Sequence, residues 1–346
     1  MNGLPIIDEL QATVTYRPAV GPCDTYRGVT ETASPPSAGT GCNCGGEAGR
    51  NRNRIGQYLL KGKLGAGGMG EVYEAEHRML GRRCAIKFVR PEDHADPSAL
   101  ARFEQEVQAT ARLTHWNTVD VFDYGHTDDG TFYYVMELLP GMSLAELVDE
   151  HGPLPAARAV HLLRQVCRAL REAHAMGLIH RDIKPGNIFA ATRGGLHDVA
   201  KLLDFGLVKC SRSEASEASP GDTAHGFSGS PLFMSPEQAA DYDAVDARSD
   251  VYSLGAVAYY LLTGRPPFSG RNAMALVRAH CRDAVVPPSS FRPDVPADLQ
   301  RVVLRCLEKD PDDRFPDVES LERALAECEA ADGWSEQQAA DWWAGR

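Results

Sequence analysis

The string His180-Arg181-Asp182-Ile183-Lys184-Pro185-Gly186-Asn187, followed by Asp204-Phe205-Gly206, constrains this chain more than any other feature. Asp204 lies 22 positions after Asp182. Two carboxylates, one carboxamide and one lysine at these intervals suit a pair of loops that handles a nucleoside triphosphate. Asn187 and Asp204 supply the hard oxygens that Mg²⁺ prefers. Asp182 can accept the proton of an incoming hydroxyl, and Lys184 can neutralise a moving phosphate. Phosphoryl transfer has a loose transition state, so the protein mainly positions groups and stabilises charge. Five positions separate Asp182 from Asn187, which lets one loop present base and metal ligand on the same wall of a cleft. The bland alternative is a charged surface loop, and the second string at this distance speaks against it.

Upstream, Leu64-Gly65-Ala66-Gly67-Gly68-Met69-Gly70-Glu71-Val72 fits G-x-G-x-x-G-x-V. Glycine lets a backbone lie close over phosphates with no Cβ in the way. Such turns are common, so the flanks decide. Ile55 to Leu64 predicts one strand and Val72 to Ala75 another, whereas a dinucleotide-binding turn needs a helix next. Cys84-Ala85-Ile86-Lys87 places a lysine 22 positions after Gly65; alone it reads as an ordinary strand-end lysine. Leu100, Phe103, Val107 and Ala111 recur at helical spacing within Ala99 to Leu113. On that helix Glu104 and Glu106 compete as the acidic partner of Lys87.

Further on stand Gly229-Ser230-Pro231-Leu232-Phe233-Met234-Ser235-Pro236-Glu237, Ser249-Asp250-Val251-Tyr252-Ser253-Leu254-Gly255 and Lys309-Asp310-Pro311-Asp312-Asp313-Arg314-Phe315. Together these strings resemble the signature set of protein kinases. Over about residues 55–329 the chain is similar to bacterial Hanks-type (eukaryotic-like) serine/threonine protein kinases. The resemblance implies an α+β, bilobal protein-kinase fold. A small β-rich N-lobe with helix C would span 55–138 and a larger helical C-lobe 139–329, between an extension over 1–54 and a tail over 330–346.

The same resemblance implies ATP and Mg²⁺ as cofactors, with Mn²⁺ as an alternative metal, and Ser/Thr hydroxyls of protein substrates as acceptors. Asp182 would be the base, with Lys184 beside it in the serine/threonine form. Lys87 would contact the α- and β-phosphates and pair with Glu106, which alignment to helix C selects over Glu104. Asn187 and Asp204 would hold the metal. Leu64, Gly65, Ala66, Gly67, Gly68, Met69, Gly70, Val72 and Ala85 would line the ATP site. Met136 would be the gatekeeper, with backbone groups of Glu137 and Leu139 on the adenine. Glu237 would form a buried structural pair with Arg314, and Asp250 would hold the catalytic loop from beneath. Arg181 would pair with a phosphate or acid on the activation segment. There Thr223 leads as phosphosite, Ser228 follows, and Ser230 replaces the family's threonine. Gly186 stands where arginine-directed kinases carry glutamate.

Composition narrows the alternatives. Net charge is −12, and the first 54 residues carry five basic and five acidic side chains, so the acidic excess sits downstream. That argues against nucleic-acid binding, which needs a basic face. No signal peptide is visible at Met1 to Leu10, and no apolar run reaches the ~18 residues of a membrane helix. Nine scattered cysteines fit a reduced cytoplasm. Cys42-Asn43-Cys44 lacks the four ligands of a closed zinc site. Residues 1–54 are too rich in Ser, Pro, Gly and Thr to bury a core and read as disordered. A homodimer is one arrangement for autophosphorylation in trans. Ser335-Glu336-Gln337-Gln338 has capping-box form and predicts a last helix. Its Trp342 and Trp343, with Trp334 before it, either pack on the C-lobe or dock a partner. Two other functions compete: a small-molecule phosphotransferase, disfavoured by Gly229 to Glu237, and an ATP-binding scaffold without turnover, disfavoured by Lys87, Asp182, Asn187 and Asp204.

Overall fold

The computed structural model describes residues 53–67, 70–89, 104–105, 107–205, 231–240 and 245–346. Two parts meet at a cleft. The first is a six-stranded antiparallel sheet of β1 (Arg54–Ile55), β2 (Tyr58–Gly67), β3 (Gly70–His77), β4 (Arg82–Phe88), β5 (Val121–His126) and β6 (Phe132–Glu137), in the order β1-β2-β3-β4-β6-β5. Side chains of a strand alternate between faces, and here both faces are covered. Tyr58, Ala75, Cys84, Ile86, Tyr133 and Val135 pack on one side. Val72, Ala85, Tyr134 and Met136 pack on the other, toward the cleft. Residues 104, 105 and 107–110 are helical, and Ala111 and Arg112 form a turn, so the helix predicted to Leu113 stops short.

The second part is built on helices α1 (Leu144–His151), α2 (Ala156–Ala175), α3 (Pro236–Ala240), α4 (Ala247–Thr263), α5 (Ala273–Arg282), α6 (Ala297–Cys306), α7 (Val318–Ala326) and α8 (Glu336–Ala344). A small antiparallel sheet of β7 (Gly141–Ser143), β8 (Ile188–Arg193) and β9 (Leu196–Leu202) lines its cleft side. Every residue of α4 from Ser249 to Thr263 is buried. The N-cap is Asp246, whose side chain accepts from the Arg248 amide, and Gly264 in left-handed conformation ends the helix. Gly255 lets α4 meet α6: a Cβ there would lie 2.3 Å from that of Cys306. The α4 helix is therefore the axis on which the site loops are mounted. At the C-terminus Ser335 and Gln338 form both halves of the capping box read from the sequence.

Among the described residues no helix is long and apolar enough to cross a membrane, and no group of His, Cys, Asp and Glu could hold a metal as a cluster. The extension over 1–52, with Cys42 and Cys44, lies outside the described residues.

Candidate active site

Strand register places the first group. Lys87 lies opposite Tyr134 on β6 and Val72 on β3, and Ala85 lies opposite Met136. These five side chains therefore share the cleft face. Lys87 is buried, and its Nζ reaches across to Asp204 Oδ2 at 2.6 Å. The Tyr134 hydroxyl donates to the other oxygen, Asp204 Oδ1. Burial alone would raise the Asp204 carboxyl. The Lys87 ammonium, the Tyr134 hydroxyl and the nearby Lys184 outweigh it and hold the group below the usual carboxylate range. Tyr134 moves the other way: burial first, then the Asp204 charge, push its phenol well above 10.

The second group comes from the loop after α2. Lys184 Nζ lies 2.9 Å from Asp182 Oδ2, and Asn187 Nδ2 donates to the same oxygen at 3.0 Å and to the Asp182 carbonyl at 2.9 Å. Since the amide nitrogen of Asn187 faces Asp182, its oxygen is the end offered to a cation. Both loops are strained: Arg181 in this one has φ 62, and Asp204 in the turn after β9 has φ 52. Left-handed backbone at a non-glycine residue costs roughly 1–2 kcal/mol and persists where surroundings over-determine it. Asp250, in the first turn of α4, provides that constraint. Its carboxylate accepts the amides of His180 at 2.9 Å and Arg181 at 3.0 Å and contacts His174 Nε2 at 2.8 Å.

His180 ties the two loops. Its Nε2 faces the Leu203 carbonyl at 2.9 Å, and its Nδ1 accepts the Asp182 amide at 3.2 Å. A carbonyl only accepts and an amide N–H only donates, so the proton sits on Nε2 of a neutral ring. Burial lowers the His180 pKa and favours that neutral form. Glu237 and Arg314 lie farther out. Arg314 donates from both terminal nitrogens to the two oxygens of Glu237, at 2.7 and 2.9 Å, and Ser249 adds a hydroxyl at 2.6 Å. Burial opposes the ionised Glu237, but Arg314 and Ser249 prevail and lower its pKa.

Val72, Ala85, Met136, Glu137, Leu139, Gly186, Asn187, Phe189, Leu203 and Asp204 line one apolar cleft between the two parts. The Glu137 N–H is already donated to Asp120 O at 2.9 Å, so its carbonyl is what it can offer a ligand. Leu64, Gly65, Ala66 and Gly67 lie on β2, and the chain re-enters β3 at Gly70. Gly70 has φ +133, and a Cβ there would fall 1.8 Å from Phe88 O, so only glycine fits. Gly68, Met69, Glu106, Thr223, Ser228 and Ser230 lie outside the described residues. Glu104, the competitor of Glu106, lies 3.7 Å from His126 Nε2. The described acidic partner of Lys87 is Asp204, which the sequence reading did not anticipate.

Three features escaped that reading. Tyr134 carries no local mark of its contact with Asp204. The Glu137 side chain, behind the cleft, meets Lys201 Nζ at 2.5 Å and also Arg193, which reaches Asp120 at 3.0 Å. Asp198 is fully buried at φ 53, bonded to Arg158. Only strand pairing or distant partners reveal any of the three.

The protein kinase domain family matches residues 58–325. The chain belongs to the protein kinase family. The kinase region is 37% identical over 280 residues to the serine/threonine-protein kinase pkn3 of Myxococcus xanthus, covering 80% of this chain and 50% of that one. It is 39% identical over 262 residues to PknB of Mycobacterium leprae, covering 75% and 41%. The chain thus spans half or less of the length of these curated relatives. The crystal structure of the PknI kinase domain of Mycobacterium tuberculosis superposes with a TM-score of 0.61 at 29% identity, over 79% of this chain and 96% of that one. Rad53 in complex with AMP-PNP, at 23% identity and a TM-score of 0.63, shares the kinase fold.

Proposed function

We propose that the chain is a serine/threonine protein kinase that moves the γ-phosphoryl group of ATP to Ser and Thr hydroxyls of protein substrates. One observation carries the reading: β4, the loop after α2 and the turn after β9 bring Lys87, Asp182, Lys184, Asn187 and Asp204 to a single cleft. The donor set fits ATP and a hard divalent cation. Asp204 is kept ionised, Asn187 offers a carboxamide oxygen, Lys87 and Lys184 bring positive charge, and the cleft walls are apolar. When bound, Mg²⁺·ATP supplies the phosphoryl group and the charge neutralisation that makes it transferable.

The chain's own residues do the rest. Asp182 orients the acceptor hydroxyl and takes its proton. Lys184 and Asn187, both on Oδ2, fix the carboxylate while that happens. Asn187 and Asp204 are the metal ligands and Lys87 the phosphate contact, with Glu106 its partner on the helix. Met136 closes the back of the adenine site, beside the Glu137 carbonyl and Leu139. Phosphorylation at Thr223, with Ser228 next, regulates the site through the cationic Arg181. A phosphate adds about −1.5 to −2 charge and orders such a loop through charge-assisted bonds. We place the kinase in the cytoplasm, since the described cysteines are all unpaired.

The test uses purified chain, radiolabelled ATP, Mg²⁺ and a generic basic protein. The expected result is label on serine and threonine, lost in Asp182→Asn while a fluorescent nucleotide still binds. Wild-type-like labelling by folded Asp182→Asn would remove Asp182 as the base. Nucleotide binding with no labelling by the wild type would favour the scaffold reading.

A further inference from the structure

The tail beyond the family match is fastened to one buried carboxylate. Trp334 Nε1 donates to Asp198 Oδ2 at 2.9 Å, and Trp343 Nε1 donates to Oδ1 at 2.8 Å. Arg158 of α2 takes the same two oxygens, Nε to Oδ2 at 2.8 Å and a terminal nitrogen to Oδ1 at 2.7 Å. Four donors satisfy the roughly four lone-pair positions of a carboxylate. The Arg158 guanidinium also stacks 3.8 Å from the centre of the Trp342 ring, whose own ring lies 3.5 Å from the Arg346 guanidinium. At the start of the tail, Gly333 approaches Ala157 so closely that a Cβ would meet it at 2.9 Å. The indoles are turned into the chain itself, with Trp342 and Trp343 partly buried against the helical core, which favours the packing reading.

Asp198 is six residues from Asp204 on the same stretch of chain. Between them β9 is held along its length. Gln165 takes the Asp198 carbonyl at 2.9 Å and the Ala200 amide at 3.1 Å. Asn117 takes the Ala200 carbonyl at 2.7 Å and, through its own carbonyl, the Leu202 amide at 2.8 Å. Lys201 bonds Thr118 O at 2.9 Å, and Leu203 bonds Asn187 O at 2.9 Å. β9 is thus fastened along its length between Asp198, near its start, and Asp204, just past its end. Asp198 occupies a left-handed conformation that a residue other than glycine keeps only under constraint.

We propose that residues 330–346 are a working part of the catalytic unit: Trp334 and Trp343 are positioning residues that fix Asp198 and, through β9, the metal-binding Asp204. The inference rests on the kinase reading above. Without the two indole N–H groups Asp198 loses half its donors. The start of β9 is then free to relax and carries Asp204 with it.

The experiment uses the full chain with Trp334→Phe and Trp343→Phe together, which keep the rings and remove the N–H donors. Hydrogen exchange of the peptide 196–205 is compared with that of 247–263. Exchange across β9 should rise at least about tenfold, since one lost hydrogen bond to a charged group is already of that scale and the variant loses two, with α4 unchanged. The Mg²⁺ concentration for half-maximal transfer should rise at least about threefold, more than kcat falls, as a ligand displaced by a fraction of an ångström implies. If the double variant does not fold, Trp343→Phe alone is measured the same way, with smaller shifts in the same direction. Wild-type exchange in β9 with unchanged Mg²⁺ dependence, whatever the loss in Tm, would show the tail to be packing only and overturn the proposal. A wild-type chain inactive in transfer would defeat the kinase reading instead, and the exchange comparison would still report on the strut.

Discussion

Asp198, near the start of β9, and Asp204, just past its end, share the same unusual backbone conformation, φ 53 and φ 52. Both face a cation, Arg158 for one and Lys87 for the other. They differ in how they are held. Asp198 is enclosed by a planar guanidinium fork and two indole N–H groups that match its shape. Asp204 meets a point-charge ammonium and one phenol hydroxyl and is itself partly open to the cleft. The first environment suits a group that never changes partner. The second suits a group that must accept another cation, as the proposed metal-binding role of Asp204 requires.

Replacing each aspartate in turn sharpens this contrast most. Asp204→Asn should lower transfer by about 10³-fold, the scale of removing a preorganised charge-stabilising group, with a smaller loss of stability than at Asp198. Asp198→Asn should instead lose mainly stability, with transfer reduced only through a raised Mg²⁺ requirement. It leaves Arg158 buried with half its compensation, and removing one partner of a buried pair typically costs about 3–5 kcal/mol. Denaturant unfolding beside a transfer assay separates the two outcomes. Equal losses of stability in both variants would erase the distinction.

How the two were legible follows from the same contrast. Asp204 belongs to a string whose neighbours and spacing to Asp182 are local, so the sequence exposed it at once. Asp198 sits in Leu196-His197-Asp198, with nothing beside it to mark it. Its partners are Arg158, Trp334 and Trp343, brought near only by the fold. The Ser335 cap was readable because S-x-x-Q is a four-residue rule, whereas the target of the helix behind it was not. Tyr134 illustrates a third case. Alternation put it on one of two faces, but only the pairing of β4 with β6 shows that the face is shared with Lys87.

Lys87→Met should invert a pH slope. In the wild type the Asp204 pKa is depressed, so its contribution to stability is present above the unfolded value near 3.8 and is lost as pH falls through the lower folded value. Without the ammonium, burial dominates and raises the folded pKa above the unfolded one. Stability from this group is then present below about pH 4 and falls as pH rises. Unfolding curves at pH 4.5 and 7 decide it: the variant should lose more relative to wild type at pH 7. A constant difference would mean that Lys87 does not control Asp204.

Tyr134→Phe should give the smallest effect. One hydrogen bond to a charged acceptor contributes about 1.5–3 kcal/mol at most, and a metal ligand can take its place. A rise of a few-fold in the Mg²⁺ needed for half-maximal transfer, with stability lowered slightly, is the expected result of a titration at fixed ATP. An unchanged Mg²⁺ requirement would remove the phenol from the site.

That phenol also bears on inhibition. The cleft walls around Val72, Ala85, Leu139, Phe189 and Leu203 are apolar and would receive a flat aromatic compound of many kinds. Beyond Met136 on the same face of β6 the surface changes character, because the Tyr134 hydroxyl is tied to Asp204. A purely hydrocarbon substituent pushed behind Met136 would break that bond and leave a buried hydroxyl unsatisfied. An inhibitor bearing a small acceptor at that point would keep the hydroxyl paired, so the residue at position 134 provides a handle for selectivity against kinases with an aliphatic side chain there.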